Sequence, residues 1–216
     1  SNRLEALPEA NYVILSVARK RWQLWDQDFS MPLTYGFEQV FGECGGPGAL
    51  FHALRSFELV IPICKDIERI CPDSLVINFT NPVSRVMMAI NYLTKVNAVG
   101  LCHGVFQAHK IISTVLRRPL EELDILSGGI NHFYWIVKIA DAKTGEDLYP
   151  EFKRKVQDNR ALLPPLCRKL LEVFGLLTYP VDSHPAEYLS FAYEITGPQK
   201  HTFDRAQNQH EAEMRQ

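Results

Sequence analysis

Three short runs rich in β-branched and aliphatic residues, each followed by a stretch with helical spacing, constrain this chain more than anything else in it. The runs are Tyr12-Val13-Ile14-Leu15-Ser16-Val17, Leu75-Val76-Ile77-Asn78-Phe79-Thr80 and Ala98-Val99-Gly100-Leu101-Cys102. A continuous apolar run of this length reads as a strand buried on both faces, the signature of a parallel sheet. From Pro47 to Ile70 the residues Leu50, Leu54, Phe57, Ile61, Cys64, Ile67 and Cys71 recur at steps of three and four, which is one face of a helix. Pro62 is expected to kink it. A second helix opens on Pro82 and runs to Leu93, and a third covers Val105 to Leu116. Strands alternating with helices give an α/β fold: a Rossmann-like parallel sheet of the doubly wound class, with ligands gathered at the carboxyl ends of the strands.

After Leu116 the pattern changes. Leu123 to Ile130 and Phe133 to Ala140 read as two further strands, with Ala142-Lys143-Thr144-Gly145-Glu146 as a turn. Tyr149 to Glu194 is mostly helical, with Leu166, Leu170, Leu171 and Phe174 on one face and Gly175 as a stop. We therefore expect a partial Rossmann-like nucleotide-binding domain over 1–116 and a partial α+β catalytic or substrate domain over 117–216. Lys and Arg number 23 against 25 Asp and Glu, so no basic face marks a nucleic-acid partner. No run approaches the roughly 18 apolar residues of a membrane span, and Ser1 to Ala10 is too polar for a signal peptide. Five cysteines without compact spacing suit reduced thiols, and the expected location is the cytoplasm.

The polar residues that follow the strands carry the chemistry. Ser16 to Arg21, Thr80-Asn81 and Cys102-His103 each lie just past a strand, so three sheet positions deliver polar groups to one rim. A thiolate from Cys102 and an imidazole from His132 are a credible pair for Mn, Fe, Zn or Co if substrate or water completes the shell, although a buried thiol and a core histidine are commoner. Gly42-Glu43-Cys44-Gly45-Gly46-Pro47-Gly48 opens a long helix and matches neither a P-loop nor G-x-G-x-x-G, so a tight turn is its plainer reading. Asp182, at the head of Asp182-Ser183-His184-Pro185-Ala186-Glu187-Tyr188, reads first as a helix cap.

In order, the Gly42–Gly48 loop, Asn78-Phe79-Thr80-Asn81-Pro82, Gly100-Leu101-Cys102-His103-Gly104, Gly129-Ile130-Asn131-His132-Phe133 and Asp182–Tyr188 resemble glycoside hydrolase family 4, the NAD-dependent exception among glycosidases. The resemblance implies oxidation of the sugar at C3 by NAD⁺, removal of the C2 proton, elimination of the glycosidic oxygen, addition of water and return of the hydride. It also implies a divalent cation, Mn²⁺, held by Cys102 and His132. By motif, Asn81, Glu43 and Asn131 bind substrate and Ser16 and Asn78 the cofactor. Asp182 is the C2 base, with Tyr188 as the other candidate, and His103 stands near the leaving oxygen. The family's G-x-G-S dinucleotide loop is not in this sequence, and members are longer at the C-terminus. The 6-phosphoglycosidases carry a phosphate-gripping Arg where Trp25 stands here, and Cys102-His103-Gly104 looks like the α-galactosidase, α-glucosidase and α-glucuronidase branch. A non-phosphorylated α-glycoside is therefore the expected substrate, with no nucleic-acid or membrane partner and a homodimer or homotetramer as the assembly. Arg19, Lys20 and Arg21 leave a phosphate or uronate open, a solvated basic face being the plainer reading. Two rivals remain: a relative of the lactate and malate dehydrogenases, which Asn81-Pro82-Val83 resembles, and a truncated non-catalytic remnant.

Overall fold

Strands β1 (Tyr12–Leu15), β2 (Leu75–Asn78) and β3 (Asn97–Gly100) pair in parallel in the order β1-β2-β3, with Leu15 opposite Asn78 and Asn78 opposite Gly100. The structure, a computed structural model, describes residues 2–197, which fall into two compact units, 2–102 and 103–197. The first also holds the short α1 (Arg3–Ala6) and helices α2 (Arg21–Thr34), α3 (Gly46–Ile70) and α4 (Val83–Leu93). The alternation of apolar runs and helical stretches thus yields the parallel α/β sheet the sequence predicts.

Two successive right-handed crossovers running in one direction place their helices on the same face of a sheet. The core follows that rule: Val60, Cys64 and Ile67 of α3 and Val86 and Ile90 of α4 pack with Leu15 and Val76 of the strands. Full burial of each such aliphatic side chain contributes about 1.5–3 kcal/mol. On the opposite pleat Tyr12 and Ile14 are 70% and 67% exposed, so the described residues cover one face of this sheet and not both. Pro62 does not break α3, which runs continuously for 25 residues. Helix α2 has no counterpart in the sequence reading, because it carries Pro32 near its end, starts after a left-handed Lys20 and has no capping side chain.

The second unit begins with α5 (Gly104–Leu116), whose Ala108, Ile112, Val115 and Leu116 belong to the core of β5 and α6. Strands β4 (Leu123–Ile130), β5 (Phe133–Asp141) and β6 (Leu177–Thr178) form an antiparallel sheet, with a register shift between Leu126 and Ser127. Helices α6 (Tyr149–Asp158), α7 (Pro165–Phe174) and α8 (Ala192–Thr196) complete it. Helix α7 ends at Gly175, whose φ of 70° only glycine adopts without strain. Strand β6 is absent from the sequence reading because two residues carry no periodicity. The polar tail beyond Gly197 lies outside the described residues. No helix among the described residues is long and apolar enough to cross a membrane.

Candidate active site

In the first unit the three parallel strands end at one rim, and hydrogen bonds fix its shape. Val17 N–H donates to Thr80 Oγ1 at 3.0 Å. Asn78 Nδ2 donates to the Thr80 carbonyl and its Oδ1 accepts from Thr80 N–H, both at 3.2 Å. Asn78 is fully buried, and its amide closes the end of β2 through these two bonds. Ser16 is exposed at the end of β1. Cys102, half-buried, follows β3 directly.

Asn81 and Glu43 come together although 38 residues separate them. Asn81 Nδ2 donates to Glu43 Oε1 at 2.7 Å, while the Asn81 carbonyl accepts from Ser56 Oγ of α3 at 2.7 Å. Arg21 Nη2 lies 3.5 Å from the same Glu43 oxygen. Burial pushes the Glu43 carboxyl above its usual range, outweighing Arg21 and Asn81, which both pull it down. The Gly42–Gly48 loop is held by Gln39, whose Nε2 donates to the carbonyls of Asp28 and Phe29 at 2.6 and 2.9 Å. At Gly48 a Cβ would stand 2.2 Å from the Asp28 carbonyl oxygen, so this glycine lets α3 pass against the middle of α2. The loop is therefore a packing turn that presents Glu43.

In the second unit the β4–β5 hairpin presents Asn131 and His132. His132 is buried with φ 127°, a backbone strain of the kind that clusters at functional sites. Its ring lies 4.4 Å from that of His184 and 5.8 Å from that of Tyr179, and His184 stacks on Tyr179 at 4.0 Å. Burial, with the charge of His103 second, lowers the His132 imidazole to about 4, so it is neutral at physiological pH and able to ligate a metal. His103 is exposed at the start of α5. Tyr188 stacks on Phe133 and donates its hydroxyl to the Asn131 carbonyl at 3.2 Å. Asn131 Nδ2 is buried with no hydrogen-bond partner, the mark of a donor waiting for a ligand or water.

Asp182 has a structural task. Its two oxygens accept from Leu166 N–H and Cys167 N–H, at 3.0 and 2.9 Å, in the first turn of α7. The sequence reads it as the cap of the segment that follows; it caps instead a helix 15 and 16 residues earlier, one that opens on Pro164-Pro165 and has no capping side chain of its own. Sequence reasoning also missed His184 and Tyr179. His184 lies inside the quoted Asp182–Tyr188 motif, but stacking with Tyr179 is a tertiary contact that no spacing announces.

Against known proteins, the profile of the family 4 glycosyl hydrolases matches residues 1–118, and that of the family's C-terminal domain matches residues 127–216. An α-glucosidase of Erwinia rhapontici is 31% identical over 91% of this chain and 52% of its own length. A putative glucosidase of Bacillus subtilis superposes with a TM-score of 0.85 at 25% identity, covering 99% of this chain and 56% of that one. A 6-phospho-α-glucosidase from gut microorganisms, solved with NAD and Mn²⁺, superposes with a TM-score of 0.81 at 21% identity over 99% of this chain and 51% of its own. The chain spans about half the length of the curated relatives it matches.

Proposed function

The chain belongs to family 4 of the glycosyl hydrolases, and from that premise we propose that it serves an NAD- and Mn²⁺-dependent glycosidase acting on a non-phosphorylated α-glycoside. The observation that carries this reading is the match of the family's two profiles in order along the chain. We place the protein in the cytoplasm as a homo-oligomer, with the first unit for the dinucleotide and the second for catalysis; its five free cysteines suit a reducing compartment.

The residues present fit the metal by their chemistry. A thiol at Cys102 and a neutral imidazole at His132 are the donor types that borderline divalent metals prefer. Ser16, exposed at the carboxyl end of β1, is the residue proposed to meet the dinucleotide, where a sheet of this class takes such a ligand. When bound, the two groups supply reversible oxidation at C3 and Lewis acidity at the C2 and C3 oxygens. The chain's own groups do the rest. Asn81 and Glu43 meet adjacent sugar hydroxyls, the amide donating and the carboxylate accepting, and the unpartnered Asn131 Nδ2 donates to another. His103, exposed, gives its proton to the leaving glycosidic oxygen. Asp182 is the proposed acceptor of the C2 proton, through the lone pair that each oxygen retains beside its amide bond. Because replacing Asp182 also releases α7, Tyr188→Phe is the control that separates the two candidate bases.

The test is an α-glycoside deuterated at C2, turned over with Mn²⁺ and NAD⁺. Loss of deuterium to solvent is expected, and turnover that retains all of it refutes the elimination route.

A further inference from the structure

His132 lies in the two-residue turn between β4 and β5, a position whose side chain ordinarily faces solvent and turns freely, yet it is only 3% exposed. Within the second unit two rings from the segment after α7 pack against it. His184 lies 4.4 Å away, tilted by 54°, and Tyr179 lies 5.8 Å away, edge to face at 70°. These two are themselves stacked nearly parallel, 4.0 Å apart at 16°. The three rings form a triangle, so a rotation of the His132 ring breaks its fit to both of the others.

The stacked pair is itself anchored on several sides. Tyr179 directly follows β6, is 2% exposed, and accepts at its carbonyl from Cys167 Sγ of α7 at 3.0 Å. Its ring lies 5.5 Å from that of Tyr134 in β5, whose hydroxyl donates to the Gly104 carbonyl at 3.0 Å. Gly104 opens α5, and a Cβ there would stand 2.3 Å from Tyr179 Cε2, so the helix start comes this close to the ring only as glycine. On the other side of the pair, His184 Nδ1 lies 3.1 Å from the hydroxyl of the buried Ser183. Groups from α5, β5 and α7 thus hold one pair of rings, and that pair rests against His132.

We infer that Tyr179 and His184 are positioning residues, which hold the His132 imidazole in the one orientation in which it takes a divalent metal. The inference rests on the glycosidase reading, which makes His132 a metal ligand, and it gives a task to two rings that the reading leaves idle. A metal meets an imidazole along the nitrogen lone pair, in the plane of the ring, so a ring free to turn offers that direction only part of the time. The apparent dissociation constant rises in inverse proportion to the fraction that is correctly oriented. A fall of that fraction to about a tenth weakens metal binding about tenfold, within the 10–100-fold span usual for groups that orient metal ligands. The holding is done by ring faces and edges, which any flat aromatic side chain supplies. Phenylalanine at position 179 or 184 therefore keeps the function, and a small or aliphatic side chain loses it.

The experiment titrates Mn²⁺ alone into the reduced chain and follows the free ion by electron paramagnetic resonance. It is repeated on His184→Ala, His184→Phe, Tyr179→Leu and Tyr179→Phe, with folding checked by circular dichroism. His184→Ala and Tyr179→Leu are expected to bind Mn²⁺ about tenfold more weakly than the parent, and the two phenylalanine variants to stay within about threefold of it. His184 is half-buried, so His184→Ala carries the test if the buried Tyr179→Leu fails to fold. Uptake by the parent that His184→Ala matches overturns the inference and leaves the glycosidase reading intact. Phenylalanine variants that lose as much as His184→Ala overturn it as well, because the two residues would then act through a ring nitrogen or a hydroxyl. Absence of uptake by the parent overturns the inference together with the metal part of the reading, and turnover of a C2-deuterated α-glycoside tests the rest of that reading separately.

Discussion

Replacing Asp182 with alanine should unfold the start of α7 before it reports anything about catalysis. The carboxylate accepts from two buried amides, Leu166 N–H and Cys167 N–H, in a helix whose first residues, Pro164 and Pro165, bring neither a capping oxygen nor a donor. Leaving a buried amide without a partner costs about 1–3 kcal/mol. A carboxylate at a helix N-terminus adds about 0.3–1 kcal/mol through the helix dipole. With two amides affected and partial relaxation, Asp182→Ala should lose about 3–5 kcal/mol, while Asp182→Asn, which keeps one acceptor, should lose about half as much. Urea unfolding followed by far-ultraviolet circular dichroism measures the loss, and hydrogen exchange at Leu166 and Cys167 locates it. With a slope of about 2 kcal/mol per molar urea, the midpoint of the alanine variant falls by about 1.5–2.5 M. A loss below about 1 kcal/mol with unchanged exchange at those amides would refute the capping role.

Gly48→Ala should destabilise the first unit by about 1–3 kcal/mol, because its Cβ would stand 2.2 Å from the Asp28 carbonyl oxygen; thermal melts check this, and an unchanged midpoint contradicts the close approach. Glu43 titrates above its unfolded value, so its contribution to stability is present in full below the unfolded value of 4.5 and is lost as pH rises through the folded one. Glu43→Gln should therefore flatten the fall in stability with rising pH above 4.5 and leave the variant the more stable at neutral pH. Urea midpoints at pH 4 and pH 7 read the difference, and parallel pH dependence in both proteins contradicts it.

The parallel sheet was legible because β1, β2 and β3 each contain a short apolar run and α3 repeats its apolar residues over six turns, signals that survive without tertiary information. Helix α2 was not legible, since its buried residues Trp25, Asp28, Phe29 and Pro32 include a charge and a proline and make sense only against α3 and the Gln39 turn. Among the site residues, the contact between Asn81 and Glu43 follows from two motifs whose meeting the sequence does not state. The bonds by which Asn78 closes the end of its own strand were not legible, because they depend on how the backbone turns back at Thr80. Asp182 looked like a local cap and proved to be a distant one, because Pro164 and Pro165 leave α7 in need of an acceptor from elsewhere.

The central claim is that Cys102 and His132 serve a divalent metal in an NAD-dependent glycosidase, and Mn²⁺ binding tests it most directly. Under reducing conditions free Mn²⁺ is followed by electron paramagnetic resonance as it is titrated into the protein, into Cys102→Ser and into His132→Gln. The account predicts saturable uptake of one Mn²⁺ per chain, weakened by about tenfold or more in each variant. Uptake that both variants match, or none by the parent chain, would contradict it.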